Sequence, residues 1–440
     1  MVSSMEIEII SKETIKPSFP TSQNLRICQL SYLDQMMIRI HVPIIFFYLN
    51  NSHCIDQPDN AAKSQHLKGS LSEVLTHFYP LAGRFKDNAI IECNDAGVEF
   101  AEARVHGFLS DLLEKPDLDS LLQFVPCDVM PSNDITVPLL HVQANFFKCG
   151  SLALAVSTSH KFSDASTAST FFKCWSAIAL GCMDESMLPK FVVGTTINPS
   201  MDSSTVLPPV HFNMPPNCPT TRFIFEESKI TELKTRVTSA IVPKPTRVEA
   251  VTALLWKCAN AARRTNLGLT TRPSAMAQAV NIRKRVSPPL SENSVGNLFA
   301  TIVVSMEEGE LDLARLVIQI REVLDVYNED FLPRLLRDQN AFSKILGAGN
   351  QYSKILDRDD IDFYIFTSWC KLSFYDTDFG WGKPVWFTIP SVRSKNTMIL
   401  KDTSDGKGIE ALITLSAEDM AELKSNKEVL EFASVNPRVA

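Results

Sequence analysis

Larger and smaller apolar residues alternate from Leu152 to Val156, a period of two that predicts a buried strand over 151–157. The period then changes: Ala168, Phe171, Phe172, Trp175 and Ile178 recur at helical spacing and predict a helix over 165–180. Upstream, residues 30–48 suit a loop leading into a hydrophobic strand, and Leu67, Leu71, Val74, Leu75 and Phe78 share one face of a helix over 61–78. That helix stops at Tyr79-Pro80, and Gly83-Arg84 makes the next turn. Strands over 90–103 and 138–147 follow, the first interrupted by the turn signal Asn94-Asp95-Ala96-Gly97.

The second half predicts a strand over 221–225, a helix over 228–240, and a longer helix capped by Thr246 and running to 262. Val248, Val251, Leu254, Leu255 and Cys258 form the buried stripe of that longer helix. Strands are expected over 275–282, 299–306 and 385–389, with a hairpin pairing 397–400 with 408–415 across Ser404-Asp405-Gly406. Helices and strands mix without a βαβ rhythm, so the expected class is α+β, or mixed α/β, rather than a doubly wound sheet. Seven prolines between Pro189 and Pro219 read as an extended crossover, because proline fixes φ and removes a backbone donor. The expected organisation is therefore an N-terminal domain over 1–188, a crossover over 189–220 and a C-terminal domain over 221–440. All eight histidines fall between His41 and His211, so histidine chemistry has to come from the first half.

Composition narrows the function classes. Apolar residues make up 45% and charged residues 21%, which is globular rather than disordered. The net charge is −7 and the longest Lys/Arg run is the three residues Arg283-Lys284-Arg285, so no nucleic-acid footprint is expected. The longest apolar run, Val42 to Leu49, is strand-sized, far short of the ~20 residues of a membrane helix. The N-terminal residues are acidic and lack the basic and apolar regions of a signal peptide, so a cytoplasmic protein is expected. Ten scattered cysteines without a Cys-x-x-Cys pair suit reduced thiols, and no metal site is expected.

The candidate chemistry lies where the strand over 151–157 gives way to the helix. There His160 is followed four residues later by Asp164, at the expected helix N-cap. A histidine at such a junction can take a proton from a bound alcohol; the same spacing also fits a solvent-facing loop histidine beside a capping aspartate. Other classes lack their motifs: there is no Gly-x-Ser-x-Gly elbow, no phosphate-binding Gly-x-x-x-x-Gly-Lys loop and no Gly-x-Gly-x-x-Gly. Direct base catalysis remains. A neutral imidazole removes a hydroxyl proton near neutral pH and typically contributes ~10²–10⁴-fold. If the acyl group arrives as a thioester, no covalent enzyme intermediate is needed. A second segment, Asp378-Phe379-Gly380-Trp381-Gly382, combines two glycines suited to a tight turn, an aromatic plug, and an aspartate able to bind freed backbone N–H groups.

With these two motifs in this order, the chain resembles the plant BAHD family of coenzyme A-dependent acyltransferases. The stretches 10–17, 30–35, 77–84 and 279–283 add to the likeness, and 366–384 looks closest to the family's alkaloid O-acetyltransferases. The resemblance implies two similar-sized domains of the chloramphenicol-acetyltransferase type, with the site at their interface and a channel through it. It implies His160 as general base, and Asp164 turned from substrate to pair with Arg283. It implies that Asp378, Gly380, Trp381 and Gly382 act indirectly, from a distance. No permanently bound cofactor is implied; acyl-CoA, most simply acetyl-CoA, is the co-substrate, an alcohol the acceptor, and the state a monomer. Thr246 and Arg247, at a helix N-terminus, are the candidate coenzyme contacts. Two positions depart from the pattern. Ala165 stands where the motif usually has Gly, and Lys401 stands where an apolar residue is expected. Lys401 reads either as a lysine emerging at a strand end or as a channel cation selecting an anionic acyl group such as malonyl.

Overall fold

A computed structural model of the chain describes residues 5–50, 59–127, 130–191, 217–306, 312–335, 355, 358, 360–390 and 394–439. The first half supplies β1 (Ile7–Ile15), β2 (Ile27–Gln29), β3 (His41–Tyr48), β4 (Arg84–Phe85), β5 (Ile90–Glu92), β6 (Val98–Val105), β7 (Leu140–Phe147) and β8 (Leu152–Ser159). The second half supplies β9 (Thr220–Phe225), β10 (Ser274–Asn281), β11 (Phe299–Met306), β12 (Asp362–Ser368), β13 (Trp386–Thr388), β14 (Thr397–Asp402), β15 (Ile409–Thr414) and β16 (Ser434–Val435).

Strand β8 lies inside a sheet of order β1-β6-β7-β8-β3-β13, and all of its residues are buried. A strand covered on both faces reads as a continuous apolar run, which is why its pattern was legible. The helices Asn60–His77 and Ala165–Ala179 cover this sheet and are pinned together by the Trp175 indole, which donates to the Ser70 hydroxyl at 3.0 Å. The second large sheet runs β11-β10-β12-β14-β15-β9-β16. It packs under the helix Arg247–Leu267, which opens with a Thr246–Glu249 capping box and closes on Gly268 at φ +64°. The architecture is the mixed α/β one expected, and the hairpin of β14 with β15 has the expected antiparallel pairing. The proline-rich crossover falls largely on 192–216, outside the described residues.

One strand departs from the expected organisation. The segment predicted over 385–389 does not join the sheet of its own half: β13 pairs antiparallel with β3, with Trp386 opposite Phe47. Its alternation is that of any buried strand, so nothing local names its partner. The Trp386 and Phe47 rings stack at 5.1 Å, and the Trp386 indole donates to Glu410 of β15 at 3.2 Å. Glu410 also takes the Arg222 guanidinium at 3.2 Å and the Lys401 ammonium at 3.1 Å. Burial pushes the Glu410 carboxyl up, but Lys401 and Arg222 outweigh it and hold it below its usual value. Two cations share one carboxylate in a dry site, and burial brings the Lys401 ammonium down to about 8.

This placement corrects both readings of Lys401. It is fully buried within β14 rather than emerging at a strand end. Its charge is met by Glu410, with the Phe387 ring 4.4 Å away, so it offers no channel cation to a donor carboxylate. Glu410→Gln leaves Arg222 and Lys401 buried without a counter-charge. Urea unfolding should therefore show a loss of about 3–5 kcal/mol, and a midpoint equal to wild type would contradict the ion cluster described.

Candidate active site

His160 continues the β8 ladder by one rung, its amide donating to the Ile40 carbonyl at 2.8 Å. The chain then turns tightly, with the Phe162 and Ser163 amides donating to the Ser159 carbonyl, and the helix Ala165–Ala179 starts on Asp164. The imidazole Nδ1 lies 3.1 Å from Asn297 Oδ1. Asn297 amide orientation follows from its other partners: its Nδ2 donates to the His160 carbonyl at 2.8 Å and to Asp34 Oδ1 at 2.9 Å. A backbone carbonyl can only accept, so the amide oxygen must face the imidazole. A neutral His160 therefore carries its proton on Nδ1, which leaves the lone pair on Nε2. The Asp34 carboxylate is held in turn by the Ser31 hydroxyl at 2.6 Å and the Asn297 amide at 2.6 Å, and burial raises it above its usual value.

Asp164 turns the other way. Arg283 grips both its oxygens, Nη1 to Oδ2 at 2.8 Å and Nη2 to Oδ1 at 3.0 Å, with both residues buried. The remaining guanidinium donors reach the Ser294 and Gly296 carbonyls at 3.0 and 3.1 Å and the Thr167 hydroxyl at 3.1 Å. Asp164 also accepts from the Thr167 and Leu298 amides at 2.8 and 3.0 Å. Burial would raise the Asp164 carboxyl; the Arg283 charge and these hydrogen bonds outweigh it and hold it below its usual value. The pair thus fixes the segment 294–298 that presents Asn297 to His160. Gly296 sits in this segment at φ +127°, where a Cβ would lie 3.3 Å from an Asp34 oxygen.

His160 lines a pocket whose apolar side is Val42, Ile44, Ala165, Ala168 and Trp369, with Thr158, Ser163 and Asp164 also contributing to the lining. Lys161, next in the chain, is buried and donates to the Gln35 and Met37 carbonyls at 3.0 and 3.2 Å. Burial lowers it to about 8, and its contacts tie the site to the loop before β3.

The other candidates lie elsewhere. Asp378 Oδ1 accepts from the Gly380 and Gly382 amides at 2.8 and 2.9 Å, and both glycines have positive φ, +102° and +100°. Trp381 stacks on Phe379 and meets Tyr48 edge-on, inside the core of the first sheet. None of these residues lines the His160 pocket. Thr246 and Arg247 are engaged as well. The Thr246 amide donates to Glu249 at 2.7 Å, and Arg247 clamps Asp402 at 2.5 Å and the Gly406 and Lys407 carbonyls. Asn297 and Asp34 are the site residues that sequence reasoning missed. Their signals were the Ser31-x-x-Asp34 capping box and the Gly296-Asn297 turn before β11.

Comparison with known proteins places this geometry. The model of the Transferase family matches residues 5–430. The 17,18-epoxy-17-hydroxycur-19-ene N-malonyltransferase of Strychnos nux-vomica is 36% identical, over 99% of this chain and 92% of its own. Stemmadenine O-acetyltransferase of Catharanthus roseus is 36% identical, over 96% of this chain and 97% of its own. The crystal structure of vinorine synthase superimposes with a TM-score of 0.85 at 34% identity, covering 99% of this chain and 100% of that one. The chain therefore belongs to the Transferase family, the BAHD acyl-CoA-dependent acyltransferases. Among the described residues no helix is long and apolar enough to cross a membrane.

The ion pair makes a pH-dependent prediction. Because the folded-state Asp164 carboxyl is depressed, its contribution is complete above the unfolded value of about 3.9 and is lost as pH falls through the folded value. Asp164→Asn should cost about 3–5 kcal/mol at pH 7. The gap from wild type should close as urea titrations are taken below about pH 4. A gap unchanged by acid would contradict the pairing.

Proposed function

We propose that this acyltransferase moves an acetyl group from acetyl-CoA to a hydroxyl of a plant alkaloid, with His160 as the general base. His160 Nε2 takes the acceptor proton, and the freed oxygen attacks the thioester carbonyl carbon. The tetrahedral intermediate then expels the coenzyme A thiolate, which the imidazolium reprotonates. Atoms balance without an acyl-enzyme, in keeping with the missing Ser elbow. The observation that carries the reading is the Asn297 contact, which leaves Nε2 as the basic nitrogen of a histidine that lines the pocket. Asp164 and Arg283 act as positioning residues, and Asp378 with its glycines supports the fold of its own loop. The protein acts as a cytoplasmic monomer.

A malonyl donor is the second reading, because one relative at 36% identity is named an N-malonyltransferase. The structure favours acetyl, since the Lys401 ammonium that was to receive the malonyl carboxylate is held by Glu410.

Mass-resolved transfer from acetyl-CoA and malonyl-CoA to a panel of alkaloid alcohols tests both parts. The expected product gains one acetyl group, and His160→Gln lowers kcat by ~10²–10⁴-fold. Wild-type rates in His160→Gln would overturn the base assignment, and a malonylated product would overturn the donor. In the same assay Lys401→Met should leave the acetyl-to-malonyl ratio unchanged; a swing between donors would restore Lys401 as a selector.

A further inference from the structure

On the face of the first sheet opposite the His160 pocket lies a cluster that the transfer chemistry does not use. His41 opens β3 opposite Ser159, and His141 lies on β7 opposite Ser157. Both therefore flank β8 on one face, while Val42 and Thr158 turn to the pocket on the other. Cys127, just after the turn Ser120–Phe124, completes the group. One ligand atom from each residue lies within 4.8 Å of the other two. In a tetrahedral zinc site such atoms stand roughly 3.3–3.7 Å apart, as bond lengths of about 2.0 Å to nitrogen and 2.3 Å to sulfur require. Side-chain rotation closes the difference.

The hydrogen bonding of the two rings carries the argument further. His41 Nε2 meets the Pro138 carbonyl at 2.9 Å, which makes it the N–H and leaves Nδ1 with the lone pair. A histidine ligand typically has its second nitrogen donating to a backbone carbonyl in this way. His141 is buried, and neither of its nitrogens makes a well-formed hydrogen bond; the Pro138 carbonyl, which His41 already engages, and the Glu99 carboxylate act on the ring only loosely. A neutral imidazole always carries one N–H and one lone pair, so the ring's hydrogen-bonding capacity is under-used in a dry place. Glu99 pairs with His141 across β6 and β7, and its Oε1 is 4.0 Å from His141 Nδ1. A small shift makes that contact a carboxylate–histidine hydrogen bond and leaves Nε2 for a metal. Burial, with the nearby His41, Arg84 and Lys12, lowers His141 to about 3 against the opposing pull of the Pro138 carbonyl. Arg84 and Lys12 oppose a cation here; the Cys127 thiolate and Glu99 carboxylate offset them.

We propose that His41, Cys127 and His141 form a zinc site, with Glu99 orienting His141 and water as the fourth ligand. Two nitrogens and one sulfur suit zinc rather than magnesium or calcium. Binding releases one proton, from the Cys127 thiol, to solvent. The ion would fasten the loop that carries Cys127 to β3 and β7, the neighbours of the strand that ends at His160. No cysteine or histidine spacing announced the site, because its ligands meet only through sheet pairing.

The test is metal analysis of the intact protein after equilibration with one equivalent of zinc and gel filtration. The expected result is one zinc per chain and a thermal midpoint that falls on chelation. Cobalt in place of zinc should give a thiolate charge-transfer band that Cys127→Ser abolishes. Glu99→Gln should weaken zinc binding ~10–100-fold, and Cys182→Ser, at an exposed cysteine, should change nothing. His141→Gln should lose the metal; if it fails to fold, Cys127→Ser, at a half-buried position, gives the answer instead. No retained zinc, or zinc retained equally by Cys127→Ser, overturns the site and leaves the acyl-transfer reading untouched.

Discussion

The bidentate pair of Arg283 with Asp164 is the constraint on which the rest of the site depends. Asp164 caps the helix that follows β8, and Arg283 follows β10 of the other sheet, so the pair joins two sheets at one point. Each charge is satisfied by further backbone groups, and those groups belong mostly to 294–298. A buried pair is weak evidence for net stability, since desolvation offsets much of its attraction. Its consequence here is geometric. With 294–298 fixed, Asn297 meets His160 and Asp34 together, and the imidazole is left with one permitted tautomer. An aspartate whose carboxylate is gripped by Arg283 thus governs a histidine four residues before it.

The second junction, around Glu410, works differently. There a strand from late in the chain crosses to the sheet of the first half, where Trp386 stacks on its neighbour Phe47 and hydrogen-bonds across to Glu410 of the second sheet. The Asp378 loop packs just before that crossing, with Phe379 and Trp381 in the first sheet's core. The loop's two positive-φ glycines let the Asp378 carboxylate collect both amides, and the resulting turn sends the chain on to β13. That supplies a structural reason for the motif that needs no contact with the acyl group.

What the sequence revealed follows from what is local. The strand–turn–helix around His160 was legible because its period switches from two to 3.6 within a few residues, and the Asp164 cap follows from the same switch. The Thr246 cap was legible for the same reason. What stayed hidden depends on pairing between distant segments. Trp386–Thr388 alternates as any buried strand does, and only the fold names β3 as its partner. Lys401 looked exposed because a lone lysine in an apolar run usually is, and its partner Glu410 stands across a hairpin. Asn297 carried only the Gly296-Asn297 turn as a signal; its meaning arises from the groups of His160 and Asp34 that the fold brings to it.

The site turns on one proton, and nitrogen-15 NMR of the protein labelled at histidine reads it directly. His160 can be assigned by difference against His160→Gln, and the couplings of its ring nitrogens distinguish the two neutral tautomers. The structure predicts a protonated Nδ1 and an unprotonated Nε2 in the substrate-free protein. A proton found on Nε2 would contradict the Asn297 arrangement and with it the basis for His160 as the base.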